Sequence, residues 1–522
     1  MTQELFDLYE QGNYYQVFYK ILELQSSNIL SNLTKEDVDI YYMKLDSLVN
    51  LNFVNDALTE TDNLLSYNLD SISKLKLIVI QLRALRKQGN FIRSLDVLQR
   101  GDFELKCIQN KLSSNDELVM AMYFHEKGTI FAYRGDLDQS IEILKKALTI
   151  REHYQEIQGT SDTVNNLGEV YQMLGEFELA TKCYLECISL DQSLNYDKGI
   201  SYSLNNLGFI SLQIGDLDEA FNYFTHSYAL VKKICQCEDQ EDTPGLDQKY
   251  LDSMLRNFED YQFLGELLSN LAGTYARKGD ILDSLDYYSK ALYVYEKTDN
   301  PVTISALYVQ LLSLSLENKD YKQAKYYLEL LSKMNASESK LIQIRIKFAK
   351  ALILNSSNRF KSKSDAQELF NDIINSETVS WNISIQTMTI LSELLFEEFT
   401  IFEDPVILQE ARKIIDQMHT IAKDKKSYSL LTETYLLKMK FAVIEGDLEK
   451  ALSYLDQAYM TSTEKKLGAL ISKVKLERMK LEENYQYWKE FLSNSSMKER
   501  FEKMEMADYI NKIKSIITPF KD

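Results

Sequence analysis

Proline is nearly missing from this chain. Four prolines and 17 glycines in 522 residues are far too few for a fold rich in strands and turns, so long helices joined by short connections are expected. No apolar run reaches the roughly 18 residues that a membrane-crossing helix needs. The opening Met1-Thr-Gln-Glu-Leu-Phe-Asp7 also puts acids where a signal peptide would carry basic and then apolar residues, so no membrane partner is expected. Five cysteines (Cys107, Cys183, Cys187, Cys235 and Cys237) are an odd and sparse set that makes no disulfide framework, which points to a reducing, cytoplasmic setting. Basic residues are outnumbered, with 59 Lys+Arg against 78 Asp+Glu, and a net charge of −19 excludes a non-specific nucleic-acid binder, which needs a basic surface to displace counterions.

Catalytic signatures are missing as well. There is no Gly-x-x-x-x-Gly-Lys-Ser/Thr phosphate loop, no Gly-x-Gly-x-x-Gly, no Gly-x-Ser-x-Gly elbow and no His-Glu-x-x-His helix. His125-Glu126 lacks the second histidine of a zinc face, and Cys235-Gln-Cys237 supplies two thiols with no further soft ligand nearby. The reading is of a protein that is not an enzyme and holds no metal or cofactor.

What is present is a repeat. Thr163-Val-Asn-Asn-Leu-Gly-Glu-Val-Tyr171, followed by Gly175-Glu-Phe-Glu-Leu-Ala180, returns 40 residues later as Ser203-Leu-Asn-Asn-Leu-Gly-Phe-Ile-Ser211 and Gly215-Asp-Leu-Asp-Glu-Ala220. Weaker copies carry Gly128, Gly135 and Ser140 upstream and Ala272, Gly279 and Ser284 downstream. Each copy reads as two amphipathic helices around a tight turn. The small residues Gly168, Gly208 and Ala272 let the second helix approach, and Tyr184, Phe224 and Tyr288 follow the second helix's own small residue by one turn.

These residues at this spacing resemble the tetratricopeptide repeat, in the longer 40-residue form of kinesin light chain, the Pins-type adaptors and multi-repeat archaeal proteins. The resemblance implies an all-α, right-handed superhelical solenoid whose first helices line a concave groove. The small second-helix residue serves as a ruler, marking about eleven units at Val17, Ala57, Ser94, Ser140, Ala180, Ala220, Ser284, Ala324, Ala366, Ala411 and Ala451. Four regions follow: degenerate repeats over 1–120, well-formed repeats over 121–330 with an insertion at about 235–260, degenerate repeats over 331–460, and capping helices over 461–522. The insertion contains the acidic run Glu238–Asp242, but Leu251, Leu255 and Phe258 make a helical stripe in its second half. In the cap, Met506, Ile510, Ile513 and Ile517 share one stripe.

Asn166, Asn206 and Asn270 hold one first-helix position, and Gln310 holds it in the next unit. A carboxamide donates to a peptide C=O and accepts from a peptide N–H at once, which neither a carboxylate nor an ammonium can do. Kinesin light chain has a similar column of asparagines, and the resemblance implies peptide recognition by these residues, with Asn165, Asn205 and Arg277 beside them. The same residues can instead bond to a neighbouring helix and lock the stack. The expected function is a scaffold or adaptor that holds a partner's extended peptide or helix in the groove of residues 121–330, as a monomer or weak self-associating oligomer. The alternative is a peptide- or metabolite-responsive regulator that acts through a change of superhelix pitch.

Overall fold

The computed structural model describes residues 4–510 except 6–7, 10–13, 26–33, 52, 89, 109–111, 135, 175, 215, 237–247, 259, 298–300, 335–339, 358, 377–380, 425–426, 466, 483–484 and 507–508. The turn glycines Gly12, Gly89, Gly135, Gly175 and Gly215, as well as Cys237, the acidic run Glu238–Asp242, Ile513 and Ile517, lie outside the described residues. Every described element is helical. None of these helices is long and apolar enough to cross a membrane.

The chain divides into two compact units: residues 1–174 with 178–203, and residues 204–522 with 175–177. In the first, the helix Tyr14–Gln25 is followed by the hairpins Lys35–Asn50/Val54–Leu65, Ser71–Lys87/Phe91–Cys107, Ser114–Tyr133/Leu137–His153 and Ile157–Met173/Phe177–Ser193. The second begins within Asp197–Ile214, which pairs with Leu217–Ile234. It continues through Tyr261–Lys278/Ile281–Glu296, Pro301–Glu317/Tyr321–Lys333, Lys340–Asn355/Phe360–Ile374, Trp381–Phe402/Pro405–Asp424 and Tyr428–Glu445/Leu448–Glu464. The helices Gly468–Glu482, Tyr485–Asn494 and Met497–Lys503 end it. The fold is thus an all-α repeat of helical hairpins, including those around Ala57, Ala366 and Ala411, which have no turn glycine in their sequence.

The hairpin seam explains the sequence pattern. All eleven ruler residues, from Val17 to Ala451, are 0% exposed, because the second helix touches the first at that point. Where the small residue is serine its hydroxyl is satisfied locally: Ser140 Oγ donates to the Gly128 carbonyl and Ser284 Oγ to that of Ala272, each at 2.8 Å and twelve residues back. Turn chemistry follows the Gly-Asp pairs. Gly279 and Gly446 end their helices at φ 88° and 89°, a left-handed conformation open to glycine. Two of the aspartates after such turns cap the second helix through their side chains, Asp216 accepting from Glu219 N and Asp447 from Lys450 N at 3.0 Å, whereas Asp136 and Asp280 hold the same position without a side-chain cap bond.

The insertion is half core. Gln248–Phe258 is a helix of its own that ends before Asp260 caps the next first helix, so it does not extend that helix. Its Leu251, Met254, Leu255 and Phe258 are 0–4% exposed. Cys235, also buried, points its thiol at the Met254 carbonyl.

Candidate functional site

In the first unit the first-helix face carries a ladder of alternating charge. Arg83 in Ser71–Lys87 bonds back to Asp46 in Lys35–Asn50 and forward through Nε to Glu126 Oε1 in Ser114–Tyr133 at 2.9 Å. Arg86 reaches the other Glu126 oxygen at 3.1 Å, and the Tyr9 hydroxyl donates to Asp46 at 2.6 Å. Burial opposes the charge on Glu126, yet Arg86 and Arg83 outweigh it and hold its carboxyl down at about 2. Glu126 stands 40 residues before Asn166, so the charged rungs and the carboxamide column occupy one register. Sequence comparison alone missed them because the residue type changes at every step. The available signal was the alternation of sign at Asp46, Arg83 and Glu126, spaced by 37 and 43 residues.

Asn166 continues the ladder. Its amide donates to Thr129 Oγ1 at 2.7 Å and lies 3.2 Å from His125 Nε2, while His125 Nδ1 is 3.3 Å from Thr163 Oγ1. Burial, reinforced by Arg151, lowers His125 to about 3, so the imidazole is neutral. Asn165, half-buried, donates to Glu169 within its own helix at 3.2 Å. Asp162, one turn earlier, is exposed, and loss of surrounding solvent raises its carboxyl pKa against the opposing pull of Arg151.

In the second unit the carboxamides face each other. Asn270 Nδ2 donates to Asn205 Oδ1 at 2.9 Å, and Asn205 Nδ2 to Glu266 Oε1 at 3.4 Å, joining Asp197–Ile214 to Tyr261–Lys278. Asn205, Asn206 and Asn270 are 2%, 8% and 5% exposed. Gln310 is half-buried. Arg277 is half-exposed, but burial by its surroundings pulls its guanidinium down to about 10. The structure thus brings Asn205 and Asn270 together as rungs between consecutive first helices, and leaves Asn165, Asn166, Gln310 and Arg277 partly open. Among the described residues no group of three or more His, Cys, Asp or Glu side chains is arranged to hold a metal ion.

The tetratricopeptide repeat family model matches residues 118–193 and, overlapping them, 159–233. Among solved structures, the apo form of the quorum sensor NprR from B. thuringiensis is similar at 14% identity, over 73% of this chain and 99% of that one, with a TM-score of 0.49. A Rap protein complexed with competence and sporulation factor is similar at 11% identity over 75% and 99%, with a TM-score of 0.48. PilF of Pseudomonas aeruginosa is similar at 16% identity over 50% and 93%, with a TM-score of 0.33. No curated protein matches the sequence.

Proposed function

We propose that this chain, which belongs to the tetratricopeptide-repeat superfamily, is a protein-interaction scaffold that works by binding rather than catalysis and takes an extended peptide or helix of a partner on its first-helix faces. The observation that carries this reading is the tetratricopeptide match over residues 118–193 and 159–233, together with the half-buried polar side chains Asn165, Asn166, Arg277 and Gln310 on the first helices. Asn165, Asn166 and Gln310 are half-buried carboxamides that would pair with a peptide backbone, Asn165 giving up Glu169 and Asn166 giving up Thr129 to do so. Asn205, Asn206 and Asn270 act from behind, fixing the helices that carry the contacts.

The test starts from a pull-down with the full chain, which identifies a stoichiometric partner, followed by titration of that partner against Asn165→Ala/Gln310→Ala and Arg277→Gln. Each lost contact should cost about 1–3 kcal/mol of binding, because the partner's polar groups are desolvated without replacement, while the melting temperature stays within a degree or two. Unchanged affinity in all of these variants would refute the assignment.

A further inference from the structure

Residues 497–506, with Tyr509 and Ile510, lie on a first-helix face. Met439 stands twelve residues before Ala451, as Gly128 does before Ser140, so Glu433, Leu437 and Lys440 form the stripe of Tyr428–Glu445 that the carboxamides occupy in earlier hairpins. Glu433 is 1% exposed and Lys440 4%. Lys473, 40 residues on in Gly468–Glu482, donates to both Glu433 oxygens at 2.7 and 2.8 Å, the same helix-to-helix rung seen in the first unit. Among the described residues, three hydrogen bonds tie the C-terminal segment to Tyr428–Glu445, one of them from Arg500 Nη1 to the Ile444 carbonyl at 3.2 Å. Lys440 Nζ donates to the backbone carbonyl of Met504 at 2.7 Å, and the Tyr509 hydroxyl donates to Glu433. The ammonium groups of Lys440 and Lys473 also lie 4.8 and 4.4 Å from the Tyr509 ring centre.

Three features set this segment apart from the hairpins. Its helix, Met497–Lys503, has only 7 residues, shorter than any hairpin helix, and the turn that follows it passes through Glu505 at φ 50°, as Gln155, Asn195, Lys319 and Glu403 do between earlier helices. A cavity of about 400 Å³ stays open beneath it, lined by Met439, Lys440, Leu481, Trp488 and Met504 among others. Its hold on Tyr428–Glu445 includes a backbone carbonyl and one hydroxyl, contacts that a foreign peptide can supply equally well, alongside the buried Phe501, Met506 and Ile510.

We propose that the faces of Tyr428–Glu445 and Gly468–Glu482 form a peptide-binding site that residues 497–506 with Tyr509 and Ile510 occupy in cis as an exchangeable latch, displaced by a partner segment that carries apolar anchors and a tyrosine. The proposal rests on the reading of first-helix faces as peptide receptors and adds a second receptor with its own competitor. The recognition elements are Lys440 for a main-chain carbonyl and Glu433 for the hydroxyl. The latch releases as a unit when both are satisfied by another chain.

The test uses the full-length chain and a fluorescently labelled peptide of residues 497–522. Tyr509→Ala/Ile510→Ala weakens the cis segment and leaves the receptor intact, so this variant should bind the peptide at least tenfold more tightly than the unaltered chain, and adding Glu433→Gln should remove that gain. A variant with an unchanged far-UV spectrum that ignores the peptide overturns the proposal. Hydrogen exchange on the unaltered chain decides the case even if the variant does not fold: amides of 497–506 should exchange at least a hundredfold faster than those of 436–443, and equal rates in both stretches overturn the latch. Neither arm uses Asn165, Gln310 or Arg277, so failure of partner binding at those residues leaves both readouts unaffected and is distinguished from failure here.

Discussion

The ring of Tyr184 lies directly over Gly168: a Cβ placed on that glycine would be 2.7 Å from Tyr184 Cε1. The ring is 0% exposed, and its hydroxyl bonds to Gln172 at 3.1 Å, so it has no free direction in which to move. The same closure recurs between Gly208 and Phe224, also at 2.7 Å. Gly168→Ala should therefore destabilise the protein by about 1–3 kcal/mol through overpacking, despite alanine's better helix propensity. Gly273→Ala, whose Cβ would meet only the Tyr288 hydroxyl at 3.3 Å, should be close to neutral. Urea unfolding of the two variants side by side tests the contrast, and equal losses would show that the glycine–aromatic seam does not set the spacing.

Glu126 is the buried anion between two arginines, 1% exposed against side-chain exposures of 22% and 26% for Arg83 and Arg86. Glu126→Gln should cost about 3 kcal/mol, since two guanidinium groups lose their common counter-charge in a poorly solvated site. Combining it with Arg83→Met should recover part of that loss. A double-mutant cycle by chemical denaturation measures the coupling, and strict additivity would mean that the rung contributes no interaction energy.

Two groups shape the pH dependence in opposite senses. His125 falls from an ordinary 6.5 to about 3, so its contribution is complete above 6.5 and is lost as pH falls toward 3, at up to about 1.4 kcal/mol per pH unit. His125→Asn should flatten that acid limb. Asp191 is raised to about 6 by burial, with Asp162 adding to the shift, so the folded state holds its proton longer than the unfolded chain and stability drains away as pH rises from 3.8 through 6. Asp191→Asn should then stabilise the protein at neutral pH by about 1–3 kcal/mol. Melting temperatures between pH 4 and 8 for both variants check the two signs, and a steeper acid limb in His125→Asn would reverse the assignment.

The insertion has two halves with different tolerance. Leu251→Ala/Met254→Ala should lose several kcal/mol, because both side chains are 0% exposed in the packed helix Gln248–Phe258. Shortening the acidic stretch Glu238–Thr243 should change the melting temperature by no more than a few degrees. Thermal unfolding that ranks the two the other way would place the structural role in the acidic stretch.

Much of the fold was legible because the hairpin seam demands one kind of residue. Only a small side chain fits where two helices touch, so Ala180, Ala220 and Ala451 announce themselves, and even Val17 and Ser94 fall on the ruler. The first-helix polar column was legible only where it is built from one residue type. Asn166, Asn206 and Asn270 stand out by repetition, but their bonding does not, because a carboxamide facing a neighbouring helix and one facing a peptide look alike in sequence. Asp46, Arg83 and Glu126 were hidden for the opposite reason: each is chosen to complement its neighbours, and complementarity between distant residues leaves no repeated letter. The docking of Tyr509 on Glu433 likewise depends on a chain reversal that no local pattern encodes.

The two kinds of rung also differ in what they allow the gene to do. A carboxamide is its own complement, as Asn205 and Asn270 show by bonding to each other from neighbouring register positions, so a copied hairpin carrying a pair of asparagines, as Asn165-Asn166 and Asn205-Asn206 do, fits beside its parent at once. A charged rung has no such freedom. Copying Ser71–Cys107 would set one Arg83 against another, with Asp46 beside only the first copy and Glu126 beside only the second. An array of this construction lengthens by duplication at its amide-bearing repeats and is frozen in order where its rungs carry charge, which is where the two cleanest 40-residue copies are found and where they are not.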